Sequence, residues 1–214
     1  MYICKKIRTM ITQKDIDKSM SFEEYYQLVE NLASTGGTTG DELTEEKIHY
    51  TKLNFARMKR IVKTTPIATE VSNTIDCLNE KLTWVVLAES WCGDAAQNIP
   101  VFAKIAETNP SINLRILLRD ANPEVMNQYL TNGGKSIPKL ICLAENLKEL
   151  GTWGPRPKFL QDWLYQEKKN PNINMDELKE RFQVWYTSDK GQTLQKEMVL
   201  LMKSWMNKEC FSLS

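Results

Sequence analysis

A strongly apolar segment that leads into a cysteine-containing turn constrains the fold of this chain more than any other feature. Leu82–Ala88 is almost continuously apolar and rich in β-forming residues, which predicts a strand buried on both faces. After a short turn, apolar residues recur at helical spacing from Cys92 to about Thr108. Cys92 is therefore expected at the first turn of a helix, directly after a buried strand.

The segments that follow predict a mixed sheet. A second strand comes after the helix, and a connection of this length implies that the two strands are parallel. Two later strands are too close together for a crossover, so we expect an antiparallel hairpin. The predicted elements after Thr108 are a strand over Ile112–Leu118, a helix from Asn122-Pro123 to Thr131–Gly134, strands over Lys139–Leu143 and Leu147–Thr152, and a helix containing Phe159–Leu164. The predicted fold class is α/β.

Both ends of the chain add helices to this core. Residues 1–20 are expected to form a loose arm, and amphipathic patterns predict helices starting after Ser21, starting after Thr44 and over Glu70–Leu82. A polar loop over Ser34–Gly40 separates the first two. Beyond residue 170, two further amphipathic helices carry apolar stripes that we interpret as packing surfaces. Those stripes are Leu178, Phe182 and Trp185, then Leu194, Met198, Leu201, Met202 and Trp205.

We expect three parts that form one compact domain. They are an N-terminal arm and helical extension over 1–67, a core over 68–166 and a C-terminal helical extension over 167–214. The role of the two extensions does not follow from the sequence.

Composition narrows the class of function. The formal net charge is +1, which gives no electrostatic basis for a nucleic-acid partner, and no apolar run approaches the roughly 18 residues needed to cross a membrane. The five cysteines are odd in number and widely spaced, so we expect no disulfide framework and a reducing, cytoplasmic location. A basic helical patch formed by Arg57, Lys59, Arg60 and Lys63 is interpreted as a solvated face.

Three motifs, found in order, carry a resemblance to a known family. They are Trp91-Cys92-Gly93-Asp94-Ala95, Pro100 eight residues after the cysteine, and Ser136-Ile137-Pro138. Together they resemble the thioredoxin superfamily over about residues 68–166, and in particular a bacterial "thioredoxin family protein" group with added terminal helices. The resemblance implies a three-layer α/β/α core with a mixed sheet, plus extra N- and C-terminal helices.

The same resemblance implies a set of site residues. Cys92 would be the only active-site nucleophile, because Ala95 stands where thioredoxins have the second, resolving cysteine. Val86 likewise stands where thioredoxins tend to carry a buried aspartate that assists that cysteine. Pro138 is expected to follow a cis peptide bond and to hold the Ile137 backbone towards the thiol. The implied groove for an extended substrate consists of Trp91, Gly93, Asp94, Ala95, Ile137 and Pro138.

Two electrostatic effects oppose each other at Cys92. The unpaired N–H groups at a helix N-terminus favour the thiolate, whereas the carboxylate of Asp94, two residues away, disfavours it. The sequence does not decide which of the two effects is larger, and an activated thiolate is kept as the expectation.

Other residues are assigned structural roles. Cys77 and Cys142 are interpreted as buried structural cysteines, although either is an alternative resolving thiol. His49 is interpreted as a solvated helix residue, and the absence of clustered cysteine and histidine predicts no metal site and no cofactor. Trp153 either walls the groove or belongs to the core.

Three functions remain open at this point. The first is a monothiol thiol–disulfide oxidoreductase in which Cys92 attacks a protein disulfide or a low-molecular-weight thiol adduct and an external thiol resolves the product. The second is a non-catalytic thioredoxin-like module that binds a peptide or partner. The third is a redox sensor in which Cys92 is oxidised to sulfenic acid.

Overall fold

The computed structural model describes residues 11–206. In this part of the chain helices surround a single sheet, and the order of elements after residue 82 is the one that the sequence predicts. The helices are α1 (Gln13–Asp17), α2 (Phe22–Thr35), α3 (Glu45–Thr64), α4 (Thr69–Asp76), α5 (Gly93–Ala106), α6 (Pro123–Met126), α7 (Lys158–Glu167), α8 (Met175–Asp189) and α9 (Gln192–Trp205). The strands are β1 (Leu82–Ala88), β2 (Ile112–Leu118), β3 (Lys139–Ala144) and β4 (Glu149–Trp153).

The sheet is mixed, with strand order β2-β1-β3-β4. β1 pairs parallel with β2 and antiparallel with β3, and β3 and β4 form the antiparallel hairpin. From Trp84 to Ala88 every side chain of β1 is fully buried, so both faces of this central strand are covered. These observations confirm the predicted α/β class and place the end of β1, just before Cys92, in the middle of the sheet.

The segment before α2 differs from the prediction of a loose arm. Ile11 is fully buried, and Met20 exchanges two backbone hydrogen bonds with Ile116 on β2, at 2.8 and 2.7 Å. Met20 thus pairs with the outer edge of the sheet at Ile116, where the backbone groups of β2 would otherwise lack a partner in the sheet. The first ten residues of that arm, Cys4 among them, lie outside the described part of the chain.

Several helix boundaries follow from capping residues. Ser21 accepts a hydrogen bond from the Glu24 N–H, as expected for an N-cap, and the Glu24 side chain accepts one from the Ser21 N–H, which completes a capping box at the start of α2. Two predicted helices are shorter than expected. α4 ends at Asp76 rather than near Leu82, and α6 ends at Met126 because the chain continues in turns up to Gly134.

The C-terminal helices pack as predicted, with one change of register. α9 contributes Leu194, Met198 and Met202 to the main core, while α8 and α7 form a smaller cluster. In that cluster Tyr186, not Trp185, continues the buried face of α8, since residues four apart lie on the same side of a helix. The smaller cluster consists of Leu160, Leu164, Leu178, Phe182 and Tyr186.

Candidate functional site

Cys92 is the N-cap residue of α5, where the chain turns from β1 into the helix. Its N–H donates to the Glu89 carbonyl (3.1 Å), and its own carbonyl accepts the first bond of α5 from Ala96 (3.1 Å). The backbone of Cys92 is extended rather than helical, as expected for an N-cap. The thiol therefore lies at the start of the helix α5, at its N-cap.

The thiol itself is almost enclosed. Cys92 is 9% exposed, and its Sγ donates a hydrogen bond to the carbonyl oxygen of Ile137 at 3.3 Å. Burial, followed by the nearby charge of Asp94, raises the pKa of Cys92 to about 12 from its ordinary value of 9.0. The N–H groups of Asp94 and Ala95 and the charge of Arg156 act in the opposite direction. The expected activated thiolate is thus wrong for this structure, since desolvation outweighs the helix N-terminus.

Ile137 faces the thiol from the loop before β3. The Ile137–Pro138 peptide bond is cis, and both residues are buried. Gly154 lies against the Pro138 carbonyl at a positive φ of 117°, so a side chain at that position would collide with the backbone. The loop that follows β4 is therefore packed directly on the strand start that holds Ile137.

Asp94 is held by residues from two distant parts of the chain. Arg156 donates to its Oδ2 from Nε (2.9 Å) and Nη2 (2.6 Å), and the Tyr186 hydroxyl donates to its Oδ1 (2.8 Å). Asn98 donates to the Asp94 carbonyl (2.7 Å) and to the Tyr186 oxygen (3.1 Å). Helix α8, from the C-terminal extension, thereby becomes part of the site.

Gly93 is covered by side chains from both extensions. A Cβ built on Gly93 would lie 3.0 Å from Nε2 of Gln183 on α8 and 3.6 Å from Nη1 of Arg57 on α3. Arg57 Nη1 donates to the Asn54 side chain (2.7 Å), which in turn donates to the Ser90 carbonyl (2.8 Å). The absence of a side chain at Gly93 is what lets these groups approach.

Ala95 is fully buried at the position where the family motif would carry its second thiol. In residues 11–206 Cys142 does not replace it as a disulfide partner of Cys92. Cys142 lies fully buried in β3, and burial raises its pKa to about 12. This agrees with a structural role for Cys142.

A polar cluster supports the turn from behind. The side chain of Ser90 contacts those of Thr39 and Thr51, at 3.2 and 2.9 Å, and the Thr39 hydroxyl accepts from the Ser90 N–H at 2.8 Å. The glycine- and threonine-rich segment predicted as a plain loop is thus packed against the turn that contains Cys92.

Glu89, in the same turn, is fully buried. Its carboxylate accepts a hydrogen bond from the Asp120 N–H (2.8 Å), and burial is the largest of the influences that raise the pKa of its carboxyl group.

Trp91 lies half-buried beside Cys92 under two cations. The guanidinium of Arg119 is 4.8 Å from the ring centroid and the ammonium of Lys47 is 5.4 Å from it. Both are within the range of cation–π attraction. Arg119 also pairs with Asp120 (2.7 Å), so the ring is held from the side of β2.

A cleft of about 1000 Å³ opens above Cys92. Its walls are α3 on one side and α7 and α8 on the other, with residues 91–94 and the 131–136 loop between them. The two extensions therefore shape the approach to the thiol, a role that the sequence left open.

The structure also shows where Trp153 and His49 lie. Trp153 belongs to the core, because it is 6% exposed, its Nε1 donates to Glu197 (2.6 Å) and its ring packs edge-on against Phe102. His49 is an exposed residue of α3, as expected. In residues 11–206 no group of histidine, cysteine and acidic side chains could hold a metal ion, and no helix has the length and apolarity that crossing a membrane requires.

The sequence correctly predicts that Ile137 faces Cys92, but it does not predict that Arg156 and Tyr186 hold Asp94. One feature of the sequence could have pointed to Arg156, because this residue stands between two prolines in a stiff bend after the hairpin. Tyr186 could have been found as well, because it follows Phe182 by four residues on α8 and therefore lies on the same side of the helix.

These elements define a thioredoxin-like protein. A family profile described as thioredoxin matches residues 40–185, well over half of the chain. The chain belongs to the thioredoxin family. A protein of Streptomyces coelicolor named "Putative thioredoxin 2" is 32% identical over 90 residues, which are 42% of this chain and 63% of that protein. The chain therefore matches less than two thirds of the length of this relative.

Two solved structures share the fold. A protein of unknown function from Pseudomonas aeruginosa has a TM-score of 0.52 at 14% identity, covering 87% of this chain and 99% of its own. An HIV epitope scaffold has a TM-score of 0.51, also at 14% identity, covering 86% and 98%. At this identity the likeness concerns the fold alone.

Proposed function

We propose that this protein is a monothiol thiol–disulfide exchange protein with Cys92 as its nucleophile. The observation that carries the proposal is the position of its sulfur, at the start of α5, facing the Ile137 carbonyl and at the base of an open cleft. Membership of the thioredoxin family supports a redox role for a thiol in this position. The substrate would be a protein disulfide or a low-molecular-weight thiol adduct.

The exchange consists of two displacements. Cys92 loses its proton to solvent and its sulfur attacks one sulfur of the substrate disulfide, so that the substrate S–S bond breaks as the Cys92 mixed disulfide forms. The leaving thiolate takes up a proton. Because Ala95 cannot resolve this intermediate, an external thiolate attacks the substrate sulfur of the mixed disulfide and releases Cys92.

The raised pKa of Cys92 determines the speed of this reaction. Only the thiolate attacks, and with a pKa of about 12 its population is small at neutral pH and rises tenfold for each pH unit. We therefore expect slow exchange that accelerates steadily with pH. The same pKa favours a second candidate, a binding module in which Cys92 stays protonated and the cleft holds a partner. Oxidation of Cys92 to sulfenic acid also requires the thiolate, so a sensor role has no advantage over exchange.

A labelling experiment separates the two candidates. Cys92 is exposed to a neutral disulfide such as 4,4′-dithiodipyridine over about pH 6 to pH 9, and the adduct is located by peptide mass spectrometry, with Cys92→Ser as the control. An adduct at Cys92 whose rate rises with pH and which an added thiol removes supports exchange. No adduct at Cys92 over this range overturns exchange and leaves the binding module. Insulin reduction is expected to show no turnover above the Cys92→Ser background, because Ala95 provides no second thiol.

A further inference from the structure

Two side chains with hydrogen-bond donors lie next to Gly93, the residue that follows Cys92. The Gln183 amide nitrogen and the Arg57 guanidinium lie 3.0 and 3.6 Å from the position that a side chain on Gly93 would occupy. Gln183 is oriented with its nitrogen towards this point, because its Oε1 accepts a hydrogen bond from Gln97 (2.8 Å). Both side chains also line the cleft, so its wall next to Gly93 carries N–H donors.

Among the half-buried cations that line the cleft, Arg57 differs in its pairing; the exposed Lys168 is another cleft cation without an ion pair in residues 11–206. In residues 11–206 Arg57 forms no ion pair with a carboxylate, and its guanidinium donates instead to the neutral Asn54 side chain at 2.7 Å. Its side chain is half-buried, and burial lowers the pKa of its guanidinium. Three other cations that line the cleft are paired, namely Lys47 with Glu42, Arg156 with Asp94 and Lys179 with Asp176.

A half-buried cation without a counter-ion is an incomplete arrangement. Removing a charge from water costs free energy that a neighbouring opposite charge offsets. Guanidinium groups present several N–H donors in a plane that matches a carboxylate, and such charge-assisted bonds are stronger than neutral ones. The part of the cleft wall formed by Arg57 and Gln183 is therefore suited to a carboxylate.

We propose that Arg57 and Gln183 bind a carboxylate of the substrate, which is a low-molecular-weight disulfide that carries this carboxylate close to the sulfur attacked by Cys92. This inference rests on the proposed function and adds the chemical class of the substrate. A small substrate fits the surroundings, because the thiol is 9% exposed and the cleft of about 1000 Å³ lies between helices on both sides. Pockets of roughly 300–1000 Å³ are typical for small ligands.

A matched pair of reagents tests the proposal. 3,3′-Dithiodipropionate and its neutral bis-amide share one skeleton and differ in charge at the position of the carboxylate. The rate of mixed-disulfide formation at Cys92 is measured with each reagent by peptide mass spectrometry, and the acid-to-amide ratio of rates is the readout. Arg57→Gln is expected to lower this ratio about tenfold, which corresponds to about 1.4 kcal/mol.

Two further variants keep the test sharp. Gln183→Glu places a carboxylate of the protein itself against Arg57, so it should lower the ratio by a similar factor while keeping the acceptor for Gln97. Lys59→Gln removes a charge from an exposed position on the same helix and should leave the ratio unchanged. Circular dichroism verifies that each variant is folded.

The outcomes separate this proposal from the one on which it rests. If neither reagent modifies Cys92, the exchange function is overturned. If both reagents modify Cys92 and the ratio stays the same in Arg57→Gln and Gln183→Glu, exchange stands and the carboxylate site is overturned. A third substrate is a disulfide-linked peptide of about ten residues with an acidic side chain next to its cysteine, and its rate of reaction with Cys92 is compared in the unmodified chain and in Arg57→Gln. If this peptide depends on Arg57 more strongly than the small acid does, the assignment to a small substrate is wrong.

Discussion

The ion pair between Asp94 and Arg156 allows charge and packing to be tested separately at Cys92. Asp94 raises the pKa of the thiol and Arg156 lowers it, although each holds the other in place. Asp94→Asn removes the negative charge and should lower the pKa of Cys92. Arg156→Gln removes the positive charge and should raise it. Both variants lose the same ion pair, so only the charge effect differs in sign.

The expected magnitudes follow from the burial of the pair. Arg156 and Asp94 have side chains 15% and 12% exposed, which places them between an exposed pair, worth roughly 0–1 kcal/mol, and a fully buried one, whose disruption costs about 3–5 kcal/mol. We expect each variant to lose about 2 kcal/mol of unfolding free energy, or about 4–8 °C in Tm. The pKa of Cys92 should move by about one unit in each direction.

The assay is alkylation by neutral iodoacetamide at about pH 8, followed at the Cys92 peptide by mass spectrometry. One pKa unit changes the thiolate population about tenfold, but the nucleophilicity of each thiolate falls with its pKa, with a coefficient of about 0.4–0.5. Asp94→Asn should therefore react about three to four times faster than the unmodified chain, and Arg156→Gln slower by a similar factor. Glu107→Gln, an exposed charge removal at the other end of the same helix, is the control.

If the two variants are equally stable and the reactivity of Cys92 changes in opposite directions, the charges of Asp94 and Arg156 control its pKa. If both variants react faster, loosening of the site and exposure of Cys92 control the reactivity, and the reasoning from charge is refuted. If neither variant differs from Glu107→Gln in its rate of alkylation, the charges of Asp94 and Arg156 do not affect the pKa of Cys92.

Three further predictions concern the surroundings of Cys92. Ala95→Cys should form a disulfide with Cys92 on oxidation, seen as the loss of two hydrogens by mass spectrometry, at a packing cost of about 1–3 kcal/mol; a fully reduced product would contradict the expected geometry. Gly93→Ala should be more favourable by about 1 kcal/mol in a Gln183→Ala background than alone, because Gln183 then no longer obstructs the new methyl group, and additive changes in Tm would disprove this coupling. The raised pKa of Cys92 means that the unfolded chain loses this proton first, so between pH 9 and about 12 the unfolding free energy should fall by up to about 1.4 kcal/mol per pH unit. Urea unfolding should show that the unfolding free energy of Cys92→Ala falls less over this pH range than that of the unmodified chain. An equal fall would mean that groups other than Cys92 cause it.

Short-range patterns account for the part of the fold that was predicted correctly. The continuous apolar run of β1, the helical spacing after Cys92 and the short link between β3 and β4 each reflect neighbouring residues. Predictions failed where the outcome depended on contacts with remote segments. Residues 11–20 looked polar and loose, yet the pairing of Met20 with Ile116 attaches them to the sheet.

The sequence by itself determined that Cys92 begins a helix after a buried strand, opposite the loop of Ile137, with Ala95 in place of a second thiol. Whether that thiol is activated was decided only by the tertiary structure. Its pKa depends on how much water reaches the sulfur and which charges stand nearby, and these are set by residues far away along the chain. Arg156 and Tyr186, which hold Asp94, lie 62 and 92 positions from it. Such distances have no local signature, because burial and charge act through space rather than along the chain.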